Sequence, residues 1–199
     1  IDDPGYPLDI AVSEDGVVMM VTYQFVDGSD TTSYVAFYNF GDVGQNEDDR
    51  IVSGYKYEGV VVPQIQYLSN NRSIALKDNG FTIYQGSQIP KEVKTIETDK
   101  EIVSTFYDDD MVGLVFKNDS KDKQYINTAD GKLKFKEDFN IPYTTIKLSG
   151  GNILMYNSSQ MCVMNSRGVQ KYLGSVDGTI KDFFKIGMNR YLLVLDSGV

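Results

Sequence analysis

Polar and apolar positions follow one another along this chain in a syntax that repeats. Leu8 to Phe40 reads as a strand, a tight acidic turn ending in glycine, a continuous apolar strand, a longer polar turn and a third strand. The order returns as "PQIQYLSNNRSIALKDNGFTIY", "IVSTFYDDDMVGLVFKNDSKDKQYINT", "TTIKLSGGNILMYNSSQMCVMN" and, shortened, "IKDFFKIGMNRYLLVLDSGV". Anchored on the last residue of the first turn, at Gly16, Asn71, Asp110, Gly151 and Asn189, the copies are spaced by 55, 39, 41 and 38 residues. Three of those spacings sit near the period of roughly 40 residues that four-stranded propeller blades show. The first is longer because it carries two polar insertions, "VDGSDTT" and "GDVGQNEDDR", of a composition suited to surface loops.

Each anchor is followed by an apolar run: Val17 to Val21, Ile74 to Leu76, Met111 to Phe116, Ile153 to Tyr156 and Tyr191 to Leu195. The runs are continuous, as a strand's sequence becomes when both of its faces are covered. Flanking Gly, Asn and Asp residues leave too little length for a helix. The predicted fold is all-β and propeller-like, with four to five four-stranded antiparallel blades in one domain. The expected units are 7–49, 50–90, 91–131, 132–168 and an incomplete 169–199, so the chain reads as an arc of a larger ring.

Several local expectations follow. Leu8, Ile10 and Val12 form the apolar face of the first strand. Asp15-Gly16 suits the positive φ angles of a primed hairpin turn. Gly54, Tyr55 and Tyr57 suggest a curved or innermost strand opening the second unit. "INTADGKLKF" and "MNSRGVQKYL" read as the step from one blade to the next, with Gly131 and Gly168 in left-handed conformation.

Composition adds bounds. Tyr contributes 14 of the 199 residues, a bias toward strands. A formal net charge of −9 repels phosphate backbones and anionic headgroups, so nucleic acid is not an expected partner. Cys162 stands alone, which excludes an internal disulfide and a cysteine-rich metal site; its place in "QMCVMN" predicts a small buried hydrophobe. No stretch approaches the roughly 20 apolar residues of a membrane span, and a membrane partner is expected only through an anchor upstream of this chain.

The sequence contains no histidine, which removes Ser-His-Asp and Cys-His catalysis and histidine metal sites. Ser53 and Lys56 have the spacing of a Ser-x-x-Lys nucleophile, but that pair must converge on a helix and these residues lie in a strand pattern. Asp108, Asp109 and Asp110, like Glu47, Asp48 and Asp49, could offer oxygens to a hard cation, yet lack the alternation of a calcium loop; a solvated turn is the better reading. No spacing singles out a carboxylate pair for glycoside hydrolysis. Tyr and Phe could build a glycan or peptide platform, although most fall within strand alternations where packing explains them. No catalytic, cofactor-binding or metal residue is therefore assigned, and no cofactor is expected.

The segments Leu8 to Gly16 and Ser33 to Phe40, followed by "IVSGYKYEG", resemble an uncharacterised family of WD40-like or quinoprotein-like propeller proteins of Gram-positive bacteria. Its members carry a short cytoplasmic tail, one N-terminal membrane helix and an extracellular propeller domain. The Trp-Asp and Gly-His signatures of true WD40 repeats are absent, and the chain has no tryptophan. The resemblance implies a place on the extracellular face of the membrane or in the secreted fraction. It also implies a non-catalytic binding or sensing role toward a protein, peptide or glycan. A carbohydrate-active enzyme on a five-bladed scaffold and a structural segment of a cell-envelope protein are the alternatives.

Overall fold

The computed structural model describes residues 5–41, 50–117 and 121–197. All regular structure among them is strand, arranged as four four-stranded meanders and one two-stranded sheet. The first sheet runs β1 (Tyr6–Val12), β2 (Val18–Asp27), β3 (Asp30–Asn39) and β4 (Ile51–Glu58). The second contains β5 (Gln64–Ser69), β6 (Arg72–Lys77), β7 (Gly80–Gln85) and β8 (Lys91–Glu97). The third contains β9 (Ile102–Tyr107), β10 (Met111–Phe116), β11 (Asp122–Thr128) and β12 (Leu133–Phe139). The fourth contains β13 (Thr145–Ser149), β14 (Asn152–Tyr156), β15 (Gln160–Asn165) and β16 (Gln170–Ser175), and the fifth pairs β17 (Ile180–Gly187) with β18 (Arg190–Leu195). In every sheet sequential strands are neighbours and antiparallel, so the predicted all-β, blade-like architecture holds.

The continuous apolar runs form the second strand of each sheet. All six residues of β10 are buried, as are five of six in β6 and four of five in β14. A second strand has a partner on each edge and covered faces, which is why its sequence does not alternate. β18 is the exception, with Tyr191 to Leu195 only half-buried.

The sequence grouping needs a correction of one strand. β4, with Gly54, Tyr55 and Tyr57, is the last strand of the first sheet rather than the opening of the second. Likewise "INTADGKLKF" and "MNSRGVQKYL" are hairpins within one sheet, β11 to β12 and β15 to β16, not steps between sheets. Gly131 and Gly168 do adopt φ of 78° and 80°. Fourth strands are edge strands with exposed polar residues, and that fall in apolarity imitates a module boundary. The links between sheets are 59–63, 98–101, 140–144 and 176–179.

Two further expectations change. The first turn is closed by Gly16 N–H donating to the Ser13 carbonyl at 2.9 Å, with only Gly16 at positive φ (74°). A primed type I turn needs two such residues; this is an unprimed turn finished by a left-handed glycine, held by Asp15, whose carboxylate accepts from Ser13 Oγ at 2.6 Å. On β1, Leu8, Ile10 and Val12 are exposed at 40%, 59% and 52%, while Ala11 is buried. Asp9 is the residue on that inward side, its carboxylate accepting the Ile65 amide at 2.9 Å. Period-two geometry can bury only one side of β1, and the side facing the second sheet carries the small and the hydrogen-bonding residue.

The chain divides into two compact units, Ile1–Ile102 with Ala129–Gly131, and Val103–Thr128 with Lys132–Val199. In the first unit, Met20, Val35 and Phe37 pack on Ile65, Ala75 and Tyr84. Buried polar side chains fasten the same interface: Thr22 Oγ1 donates to the Val62 carbonyl at 3.0 Å, and Ser33 Oγ donates to the Val60 carbonyl at 2.8 Å. Each satisfies a backbone group of the link that would otherwise be buried unpaired. In the second unit, Val115, Ile126 and Phe139 pack on Ile153, Met155, Cys162 and Met164, and Leu154, Tyr156 and Val163 pack on Ile180 and Phe183. Cys162 is thus the buried hydrophobe its context predicts.

Candidate functional site

The residues nominated from sequence for chemistry fall apart in the fold. Ser53 and Lys56 stand three positions apart on β4 and point to opposite faces. The Ser53 hydroxyl donates to the Pro90 carbonyl at 2.8 Å, and the exposed Lys56 ammonium bonds Glu58 at 2.6 Å. Asp108 is a turn residue, its carboxylate accepting from the amides of Asp110 at 3.0 Å and Met111 at 2.8 Å. Glu47, Asp48 and Asp49 lie outside the described residues. Among the described residues no three His, Cys, Asp or Glu side chains are gathered as metal ligands.

Most tyrosines pack, as expected. Tyr84 is fully buried, its ring 5.0 Å from those of both Phe37 and Tyr55. Its hydroxyl meets that of Tyr57, which also donates to Glu92 at 3.1 Å. Burial pushes both phenols up, and the neighbouring Glu92 charge adds to this. Lys77, whose side chain is 1% exposed, bonds Glu97 at 3.2 Å and sits 5.1 Å over the Tyr57 ring. Every named group in this seam has a protein partner, so the seam joins the first two sheets.

An opening lies in the second unit, between the fourth and fifth sheets. Two hollows of about 380 and 340 Å3 adjoin there, sharing Val163, Tyr172, Asn189 and Tyr191. Met161 and Val163 of β15 and Phe183 and Leu193 of the fifth sheet form an apolar floor. Tyr172 of β16, 48% exposed, and Tyr191 of β18 form the walls. The Tyr191 hydroxyl is fixed by Asn152 Nδ2 donating at 2.6 Å, and its ring lies 5.5 Å from that of Phe183. The β17–β18 hairpin supplies Met188, 88% exposed, and Asn189, which takes a left-handed φ of 54°.

The polar rim is cationic and amidic. Lys171, Lys185, Asn152 and Asn165 line the opening, and no Asp or Glu does. Lys185 Nζ donates to the Gly150 carbonyl at 2.7 Å, which holds the ammonium at the rim. The nearby Asp182 carboxylate is engaged by Lys147 and by the Tyr156 hydroxyl at 2.9 Å. Burial pushes Asp182 up, but these bonds and the Phe183 amide outweigh it and hold the carboxyl below its ordinary value. The cleft thus offers flat rings, an apolar floor and fixed donors, with no carboxylate in its lining. Sequence reading missed it because Tyr172 and Tyr191 sit in ordinary strand patterns; the signal present was the apolar run Tyr191 to Leu195.

The geometry defines an all-β repeat protein of the β-propeller class. Its sequence matches the family of unknown function DUF5711 over residues 1–199, and the chain belongs to that family. No curated protein matches it. Solved structures share the fold at low identity. Hsv2 of Kluyvelomyces marxianus is 11% identical, with a TM-score of 0.52 over 90% of this chain and 51% of its own. The Pan2 WD40 domain of Neurospora crassa is 11% identical, with a TM-score of 0.53 over 96% and 60%. The propeller domain of the Pyrococcus furiosus trilobed protease is 10% identical, with a TM-score of 0.53 over 92% and 60%. The chain therefore spans about half to three-fifths of the propellers it resembles.

Proposed function

We propose that this chain is a non-catalytic interaction domain that holds a partner protein in the cleft between its fourth and fifth sheets, on the extracellular face of the membrane or in secreted form. The observation that carries the reading is the cleft itself: the half-exposed Tyr172 and the more buried Tyr191 over an apolar floor, with a rim of lysines and amides. Large rigid rings with a polar tip are the side chains that concentrate binding energy at interfaces. The resemblance to WD40-type folds supports a scaffold role, and the segments Leu8 to Gly16 and Ser33 to Phe40 support the extracellular placement.

A photo-crosslinking amino acid at position 172 in the native host tests this. The expected result is one discrete protein adduct there and none from the same group at Val103, an exposed position on β9. Equal adducts at both positions, or turnover of an aryl glycoside abolished by replacing a single carboxylate, would overturn it.

A further inference from the structure

We infer that the seam between the first two sheets holds a one-electron redox site, at which Tyr84 yields an electron to an outer-sphere one-electron oxidant while protons shift along Tyr84, Tyr57 and Glu92. The site lies in the first unit and does not depend on the cleft. A phenol has one proton to give and a carboxylate has none. The Tyr57 hydroxyl donates to Glu92 Oε2 at 3.1 Å, so in its contact with Tyr84 it is the acceptor and Tyr84 the donor. The three groups therefore form a wire with one direction, from a fully buried phenol through a half-buried one to an exposed carboxylate. Its outer end is fixed from β8. Thr95 Oγ1 donates to Glu92 Oε1 at 2.9 Å, and the Glu92 amide donates to the Tyr55 hydroxyl at 3.1 Å, which itself donates to the Pro90 carbonyl at 3.0 Å.

Removing an electron alone would leave a cation on the Tyr84 ring, which is fully buried and packed against the rings of Phe37 and Tyr55. An unpaired charge in such surroundings is costly, so the ring is oxidised only if its proton leaves with the electron. The wire supplies the route. The Tyr84 O–H bond breaks and its proton joins the Tyr57 oxygen, the Tyr57 proton joins the Glu92 carboxylate, and the electron goes to the oxidant. The products are a neutral Tyr84 phenoxyl radical, a neutral Tyr57 phenol, a neutral Glu92 carboxyl and the oxidant reduced by one electron. Lys77 selects the ring that gives up the electron. Its ammonium, 5.1 Å over the Tyr57 ring, opposes positive charge there and leaves Tyr84 as the donor. The chain has no tryptophan, the aromatic side chain that would otherwise compete for the oxidising equivalent.

The test is flash photolysis of the whole chain with photogenerated ruthenium(III) tris-bipyridine as the oxidant, read by electron paramagnetic resonance and transient absorption. A neutral tyrosyl radical is expected, formed more slowly in heavy water and about a hundredfold more slowly in Glu92→Gln, which keeps the size of the side chain but is a far weaker base. Tyr84→Phe, which keeps the ring, should abolish this signal. Tyr23→Phe, at the other hydroxyl pair of the first sheet, with Tyr38 at 2.9 Å, should leave it unchanged. A radical of the same yield and lifetime in Tyr84→Phe, or one lost in Tyr23→Phe, would overturn the assignment to the seam. Equal rates in water and heavy water would overturn the proton shift; that comparison uses the unaltered chain and stands whether or not a variant folds.

Discussion

The hydroxyl of Tyr57 on β4 meets the hydroxyl of Tyr84 on β7, and this contact ties the first sheet to the second at the outer end of a core otherwise closed by Phe37, Val35 and Ala75. Neither phenol can ionise without leaving a charge in an apolar seam beside Glu92.

Stability in alkali follows from that arrangement. Burial raises both phenols above their ordinary value of 10. The folded state therefore holds these protons where the unfolded chain releases them. Their contribution is complete below pH 10 and is lost as pH rises beyond it. Chemical denaturation at about pH 8 and about pH 11 should show a fall in midpoint that is smaller in Tyr57→Phe. An identical fall in the variant would assign the alkaline limb to other groups.

Gly80 has the closest backbone neighbour of the described glycines. It has φ of 144°, and a Cβ there would lie 1.9 Å from the Ile96 carbonyl oxygen on β8. Gly80→Ala should cost about 3 kcal/mol or more, because backbone must move as well as strain. Gly16, at φ 74° with open space around it, should cost about 1 to 2 kcal/mol on the same change, from conformation alone. Urea titrations of the two variants rank them.

Truncation should separate β14 from β18. Leu154 is fully buried, whereas Leu193 is half-buried on the floor of the cleft. Leu154→Ala is expected to lose about 2 to 5 kcal/mol and Leu193→Ala less than half as much, read from thermal or urea midpoints. Equal losses would mean that β18 is packed like its sister strands.

Burial pushes the Cys162 thiol up to about 11. The folded protein should leave a disulfide reagent such as DTNB unreacted at neutral pH, since the thiolate is the nucleophile. Adding denaturant should release one equivalent of colour. A prompt reaction in buffer would show the fourth sheet opening.

Strand type and the positions of left-handed glycines were legible in the sequence because they depend on neighbours along the chain, although the type of the first turn was not. Met111–Phe116 was found with its exact bounds, and the left-handed Gly16, Gly131 and Gly168 were found by their turns. Grouping was not legible. The polar β12 and β16 look like fresh starts when apolarity is the guide, but hydrogen bonding makes them last strands. The exposed face of β1 was misread for a related reason: alternation reveals two faces without saying which one meets another sheet. The cleft depends on β15, β16 and β18 meeting across separate sheets, a relation that no local spacing encodes.

The four links between sheets are each four or five residues long, while every pairing within a four-stranded sheet is closed by its own hairpin. A gene can therefore duplicate or excise from link to link without tearing a ladder, and the number of meanders becomes a quantity that recombination changes in whole steps. Divergence among relatives should accordingly appear as gained or lost modules of about 40 residues, with breakpoints at the links rather than at the glycine turns.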